Sequence, residues 1–137
     1  MDMENFKSLI NEKDRFGKYN NMRVTEIRLG YAEAVLEISE NSLNGLGTVQ
    51  GGAIFSLSDL AFAAAANAGG VPTVAMTCSF SFIRPGTGTF LKAAAKEVSN
   101  GKRTVVYDVN VCNSADKLVA HGTINGFHVE GEPVQKR

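Results

Sequence analysis

The 137-residue sequence has little of what most readily marks a function. Lys and Arg number 14, and so do Asp and Glu; a chain with no excess of either sign carries no electrostatic footprint for nucleic acid or another polyanion. Its two cysteines, Cys78 and Cys112, lie in separate strand-like runs rather than in a Cys-x-x-Cys pair, so reduced thiols are expected, with neither a disulfide framework nor a metal site. The two histidines, His121 and His128, are seven residues apart on one strand-like run. An odd separation puts them on opposite faces, which excludes a shared metal or a catalytic pair. No apolar stretch has the length to span a bilayer, and the opening "MDMENFKSLINEKDRFGKYN" lacks the apolar core of a signal peptide. Walker and Rossmann glycine patterns, internal repeats and low-complexity segments are absent as well. The expectation is a soluble, cytoplasmic protein with no nucleic-acid or membrane partner and no metal.

What is present is a core. Hydrophobic residues make up 44% of the chain and charged residues 20%, enough for one domain spanning 1–137 without staples. Met3, Phe6, Leu9 and Ile10 fall at helical spacing, predicting an N-terminal helix within 1–18 that Gly17 ends. Runs at 22–29 and 31–39, parted by Gly30, read as a hairpin. A longer helix is predicted from about 53 to 68, stopped by Gly69, Gly70 and Pro72. Strands at 73–83, 89–99, 103–113 and 117–129 follow, separated by "RPGTG", "SNGKR" and "NSADK". A flexible tail is expected at 130–137. Strands joined by short turns, with one long helix apolar nearly all round, predict an α+β fold in which a curled antiparallel sheet wraps that helix. Its alanines, Ala61, Ala63 to Ala66 and Ala68, would let a second copy approach closely, so a homodimer is expected.

One residue does not suit a buried helix. Asp59 sits in the apolar run with Phe55, Ser56, Phe62 and Ala63 one turn away, so no cation on the same helix can pair with it. It is either a solvated helix acid or a carboxylate held at a cleft as nucleophile or general base. Gly51 and Gly52 precede it at the helix start, where backbone N–H groups are unsatisfied and the helix dipole is positive. Turn chemistry alone would explain two glycines. Followed eight residues later by an acid, the same N–H groups could also hold a developing oxyanion, so the two halves of acyl transfer stand on one helix.

The segments "LNGLGTVQGGAIFSLSDLAFAAAANAGG", "FSFIRPGTGTFLKAAAKEVSNGKRTVVYDVNV" and "KLVAHGTINGF" resemble the hotdog-fold acyl-CoA thioesterases of the phenylacetic-acid-degradation (PaaI) type. The resemblance implies a hotdog fold and hydrolysis of an acyl- or aryl-CoA, with CoA as part of the substrate and no cofactor. It implies that Asn44 positions the thioester or water, that the Gly51 N–H polarises the carbonyl, and that Asp59 is the catalytic acid. It further implies dimers, or dimers of dimers, in which Asp59 of one subunit serves the Gly51 of the other. The family carries His before Gly-Gly where this chain has Gln50, which can orient by hydrogen bonding but cannot titrate near neutral pH. Arg84, Lys102 and Arg103 flank turns; they are solvated cations or contacts for the CoA phosphates. Phe55, Phe62, Phe80 and Phe82 line an acyl pocket or pack the core, and Ser56 and Ser58 lack a nucleophile-elbow context. Two other readings of the same fold are a non-catalytic acyl-CoA binding or sensing module and a hotdog dehydratase. The dehydratase reaction relies on a histidine beside the acid, and none stands near this helix.

Overall fold

The computed structural model describes residues 2–133; of the tail expected at 130–137, positions 134–137 lie outside the described residues. Helix α1, Met3–Lys13, starts at Asp2, whose side chain accepts a hydrogen bond from the Glu4 N–H, and it buries Phe6 and Ile10. The helix does not run on to Gly17. It breaks at Asp14, which caps a second short helix, α2 (Arg15–Tyr19), by accepting from the Gly17 N–H at 2.8 Å. Gly17 is thus buried inside α2 instead of ending α1, because a Cβ there would lie 3.0 Å from Asp14 Oδ1 and 3.4 Å from Leu60 Cδ2.

Strands β1 (Met22–Arg28) and β2 (Tyr31–Glu37) form the expected hairpin, turning at Gly30 with φ +73°. Helix α3 spans Gly51–Asn67, starting two residues before the apolar run suggests, and the chain leaves it through Gly70 at φ +90°. Strands β3 (Thr73–Phe82), β4 (Phe90–Asn100), β5 (Thr104–Asn113) and β6 (Leu118–His128) complete one antiparallel six-stranded sheet in the order β1-β2-β4-β5-β6-β3. None of the helices among the described residues is long and apolar enough to cross a membrane.

The sheet curls around α3. Where they meet, Ala32 pairs with Ala95 and Ala34 with Ala93, all four fully buried, so the strands offer a shallow floor on which the alanine-rich helix can lie close. Leu57 and Phe62 then fill the space on either side, each contributing ~1.5–3 kcal/mol by burial. Phe62 meets Tyr107 edge to face at 5.3 Å and needs Gly126 beneath it, where a Cβ would stand 2.6 Å from the ring.

The helix is not covered all round. Gly52, Phe55, Ser56, Asp59, Ala63 and Ala66 form a stripe that stays exposed or half-buried, and beside it β3 lies at the edge of the sheet with Val74, Met76 and Phe82 exposed.

Candidate active site

The approach to α3 is tied down by backbone bonds: Val49 N–H donates to Gly86 O at 2.9 Å and Gln50 N–H to Ser42 O at 2.8 Å. Gln50 takes the N-cap position, and its side-chain oxygen accepts from the Gly52 N–H. In this chain the residue that stands for the family's histidine is therefore a helix cap. Gly51 is the first residue of α3, and its own N–H has no acceptor among the described residues. It faces a cavity of about 310 Å³ bounded by Asn44, Thr48, Ile54, Phe82 and Arg84. A dipole-positive helix end with a free donor is suited to an oxyanion.

Asn44 borders this cavity but spends most of its side chain on the loop. Its Oδ1 accepts from the N–H groups of Leu46 (2.9 Å) and Thr48 (3.2 Å), and its Nδ2 donates to Thr48 Oγ1 at 3.0 Å, leaving one amide hydrogen for a substrate or water. Arg84 is steadied by donation from Nη1 to Leu118 O at 2.8 Å, with its other donors free for an anion. Lys102 and Arg103 do not join it. They sit on the β4–β5 turn, and Lys102 lines a separate cavity of about 460 Å³ with Ala65, Ala66 and Gly69 at the far end of α3.

Asp59 is two turns along α3 from Gly51, about 12 Å at 1.5 Å per residue. It is half-buried beside a second cavity, about 270 Å³, walled by Phe16, Met22, Phe55 and Leu60 and shared with Asp14. It has no hydrogen-bond or ion-pair partner among the described residues. Burial pushes its carboxyl pKa above the usual range, and the Asp14 charge pushes it further the same way. The Cys78 thiol on β3 is raised too, by burial first and by Asp59 second. A carboxylate with raised affinity for a proton and no partner is a competent base.

The aromatic residues divide. Phe82 lines the Gly51 cavity and Phe55 the Asp59 cavity, whereas Phe62 is core and Phe80 stacks edge to face on Phe55 at 5.5 Å. Ser56 and Ser58 donate back to the carbonyls of Gly52 and Ile54. His121 is exposed, while His128 reaches Thr73 Oγ1 at 2.8 Å and Gly101 O at 3.2 Å, outside either cavity next to Gly51 or Asp59. Among the described residues no three His, Cys, Asp or Glu side chains gather into a metal-binding cluster.

The profile of the Thioesterase superfamily matches residues 46–120, from the loop before α3 into β6. The chain belongs to the thioesterase superfamily. A member from Escherichia coli, the acyl-coenzyme A thioesterase PaaI, is 37% identical over 110 residues, covering 80% of this chain and 79% of that protein. The solved structure of the E. coli PaaI protein superposes with a TM-score of 0.89 at 31% identity over 95% of both chains. The Streptococcus mutans protein smu.793, solved bound to acetyl-CoA, superposes at 0.77 with 26% identity over 83% of this chain and 93% of that one. The hotdog fold expected from the sequence is thus the fold of this thioesterase-superfamily member.

Asp14, Phe16 and Met22 are the residues around Asp59 that sequence reasoning missed. They come from the N-terminal segment, outside the matched region, and reach α3 only through folding. The acidic cap at the break between two short helices is the one local signal that could have drawn attention to Asp14.

Proposed function

We propose that the protein hydrolyses acyl-CoA thioesters to free acid and CoA, at a site assembled from two copies of the chain. The observation that carries this reading is the pairing, on one helix, of an unengaged Gly51 N–H with an unpartnered Asp59 whose carboxyl pKa is raised by burial. The thioester carbonyl oxygen accepts from the Gly51 N–H. Asp59 takes a proton from water as its oxygen attacks the carbonyl carbon, the C–S bond breaks, and the CoA thiolate leaves to be protonated. Direct attack by Asp59 would instead give a mixed anhydride that water then opens. Both routes are redox-neutral and consume only water, so neither requires a redox cofactor, and the Gly51 N–H and Asp59 supply the electrophilic and basic groups that a metal would otherwise provide. Asn44 holds the loop and offers one amide hydrogen; Arg84 is placed for a CoA phosphate.

About 12 Å separates Gly51 from Asp59, too far for both to act on one carbonyl from the same chain. Support for a shared site comes from the uncovered stripe of α3 that holds Asp59 and from edge strand β3, a ten-residue run with no charged residue to discourage pairing. A homodimer joined along β3, alone or doubled into a tetramer, would cover both and bring Asp59 of the partner subunit toward Gly51. Release of free thiol from a panel of acyl-CoAs tests the activity. Turnover is expected; binding without turnover would make the protein a sensor, and loss of water without thiol release a dehydratase.

A further inference from the structure

The cavity beside Asp59 holds a second acid that the reaction just described does not use. Asp14 comes from the junction of α1 and α2, 45 positions earlier in the chain, and its backbone and Oδ1 are fixed by its role as the cap of α2. No cation lines the cavity; the remaining walls include Phe16, Met22, Phe55 and Leu60. We propose that Asp14 is a positioning and selectivity residue of the thioesterase site: it strengthens Asp59 as a base and keeps acyl groups that carry a negative charge out of the cavity.

The inference rests on the acyl-CoA reading above and adds to it a substrate class, neutral acyl groups as opposed to dicarboxylic half-esters of CoA. Burial is the larger influence raising the Asp59 pKa, and a second carboxylate in the same partly dry cavity adds to it by repulsion, so Asp59 holds a proton to higher pH than it would without Asp14. The other groups facing Asp59 do not offset this. From β3 comes the Cys78 thiol, itself raised by burial and by Asp59, and β1 and α3 contribute Met22, Ser56 and Ala63. An acyl chain ending in a carboxylate would bring a third negative charge against Asp14 and Asp59 on a wall to which this chain contributes no cation, and Arg84, the cation beside Gly51, is given to a CoA phosphate in the reading above. The N-terminal segment thus tunes a site whose reacting groups lie elsewhere in the chain.

Asp14→Asn and Asp14→Ser both retain a good helix cap while removing the charge, so the thermal midpoint should hold in each. In ¹³C-carboxyl NMR of the substrate-free protein, the Asp59 resonance, assigned by its loss in Asp59→Asn, should titrate at lower pH in both variants than in the parent. The acid limb of kcat/KM for butyryl-CoA should move the same way. The preference for butyryl-CoA over succinyl-CoA should narrow by roughly three- to tenfold. An unmoved Asp59 titration would overturn the tuning role, and an unchanged preference would overturn the selectivity role. A parent that releases no thiol from any acyl-CoA would defeat the functional reading instead, while the NMR titration would still decide whether Asp14 acts on Asp59.

Discussion

Asp59 is costly to keep charged where it stands, and that cost makes its role readable by substitution. Asp59→Asn keeps the shape and removes the charge, so thiol release should fall on the order of a hundredfold or more. Stability should move the other way. Because the folded state raises the Asp59 pKa, it binds more protons than the unfolded chain as pH rises past the ordinary carboxylate range, and the parent loses stability through that window. Thermal midpoints of parent and variant should therefore converge in acid and separate at neutral pH, with the variant equal or higher; a variant that melts lower at neutral pH would show Asp59 to be structural. Gln50 should behave in the opposite manner. As a cap it contributes up to ~1 kcal/mol of stability, so Gln50→Ala should lower the midpoint slightly while thiol release stays within about tenfold, and Gln50→His should remain active. A collapse of turnover with the fold intact would give Gln50 an essential part. Asp59 was legible in the sequence because an acid without a helical cation partner stands out in an apolar run. The capping bond of Gln50 and the approach of Asp14 were not, since both depend on where side chains end in space.

At the scale of elements, the succession of strands along the chain and the central helix followed from alternation, turn residues and the apolar run, and the observed ends differ from the expected ones by one or two residues. Gly17 is the exception. Read alone it is a helix stop, but packing against Leu60 makes it the residue that lets α2 dock on α3. Tertiary contact overrode local chemistry. Gly122 shows the same dependence in the sheet: an added Cβ would overlap the Ser79 carbonyl and the Phe80 ring on the neighbouring strand. Gly122→Ala should cost ~1–3 kcal/mol and loosen β3 from β6, visible as faster amide exchange along β3 than along β4. Strand β3 itself read as one more strand, and its place at the sheet edge could not be inferred because chain order does not give sheet order. If that edge joins two copies, Met76→Lys, which puts a charge on it, should shift sedimentation toward monomer at micromolar concentration and lower thiol release in parallel. A monomer with full turnover would separate activity from assembly.

For the whole molecule, composition pointed to one domain with its own core, the pattern of strands and turns around one long helix to an α+β fold, and the resemblance over most of the chain to its family. The two cavities are the part that sequence left dark: Gly51 and Asp59 look adjacent on paper, yet each opens into its own space two helical turns from the other. That separation is what motivates the proposal of a site divided between copies, which can be tested without a structure of the assembly. Proline is well tolerated at the first helical position, and Gln50, with ψ at 134°, is already extended as a residue before proline must be. Gly51→Pro thus removes the proposed oxyanion donor while α3 is kept, and it should lose on the order of a hundredfold in turnover. Asp59→Asn loses the acid. The decisive measurement is thiol release after the two inactive variants are unfolded together in equal amounts and refolded. In a shared-site dimer half the molecules are mixed, and each mixed dimer has one site with both Gly51 and Asp59 intact, so roughly a quarter of parental activity should return. Activity no higher than that of the separate variants would contradict a site built from two chains.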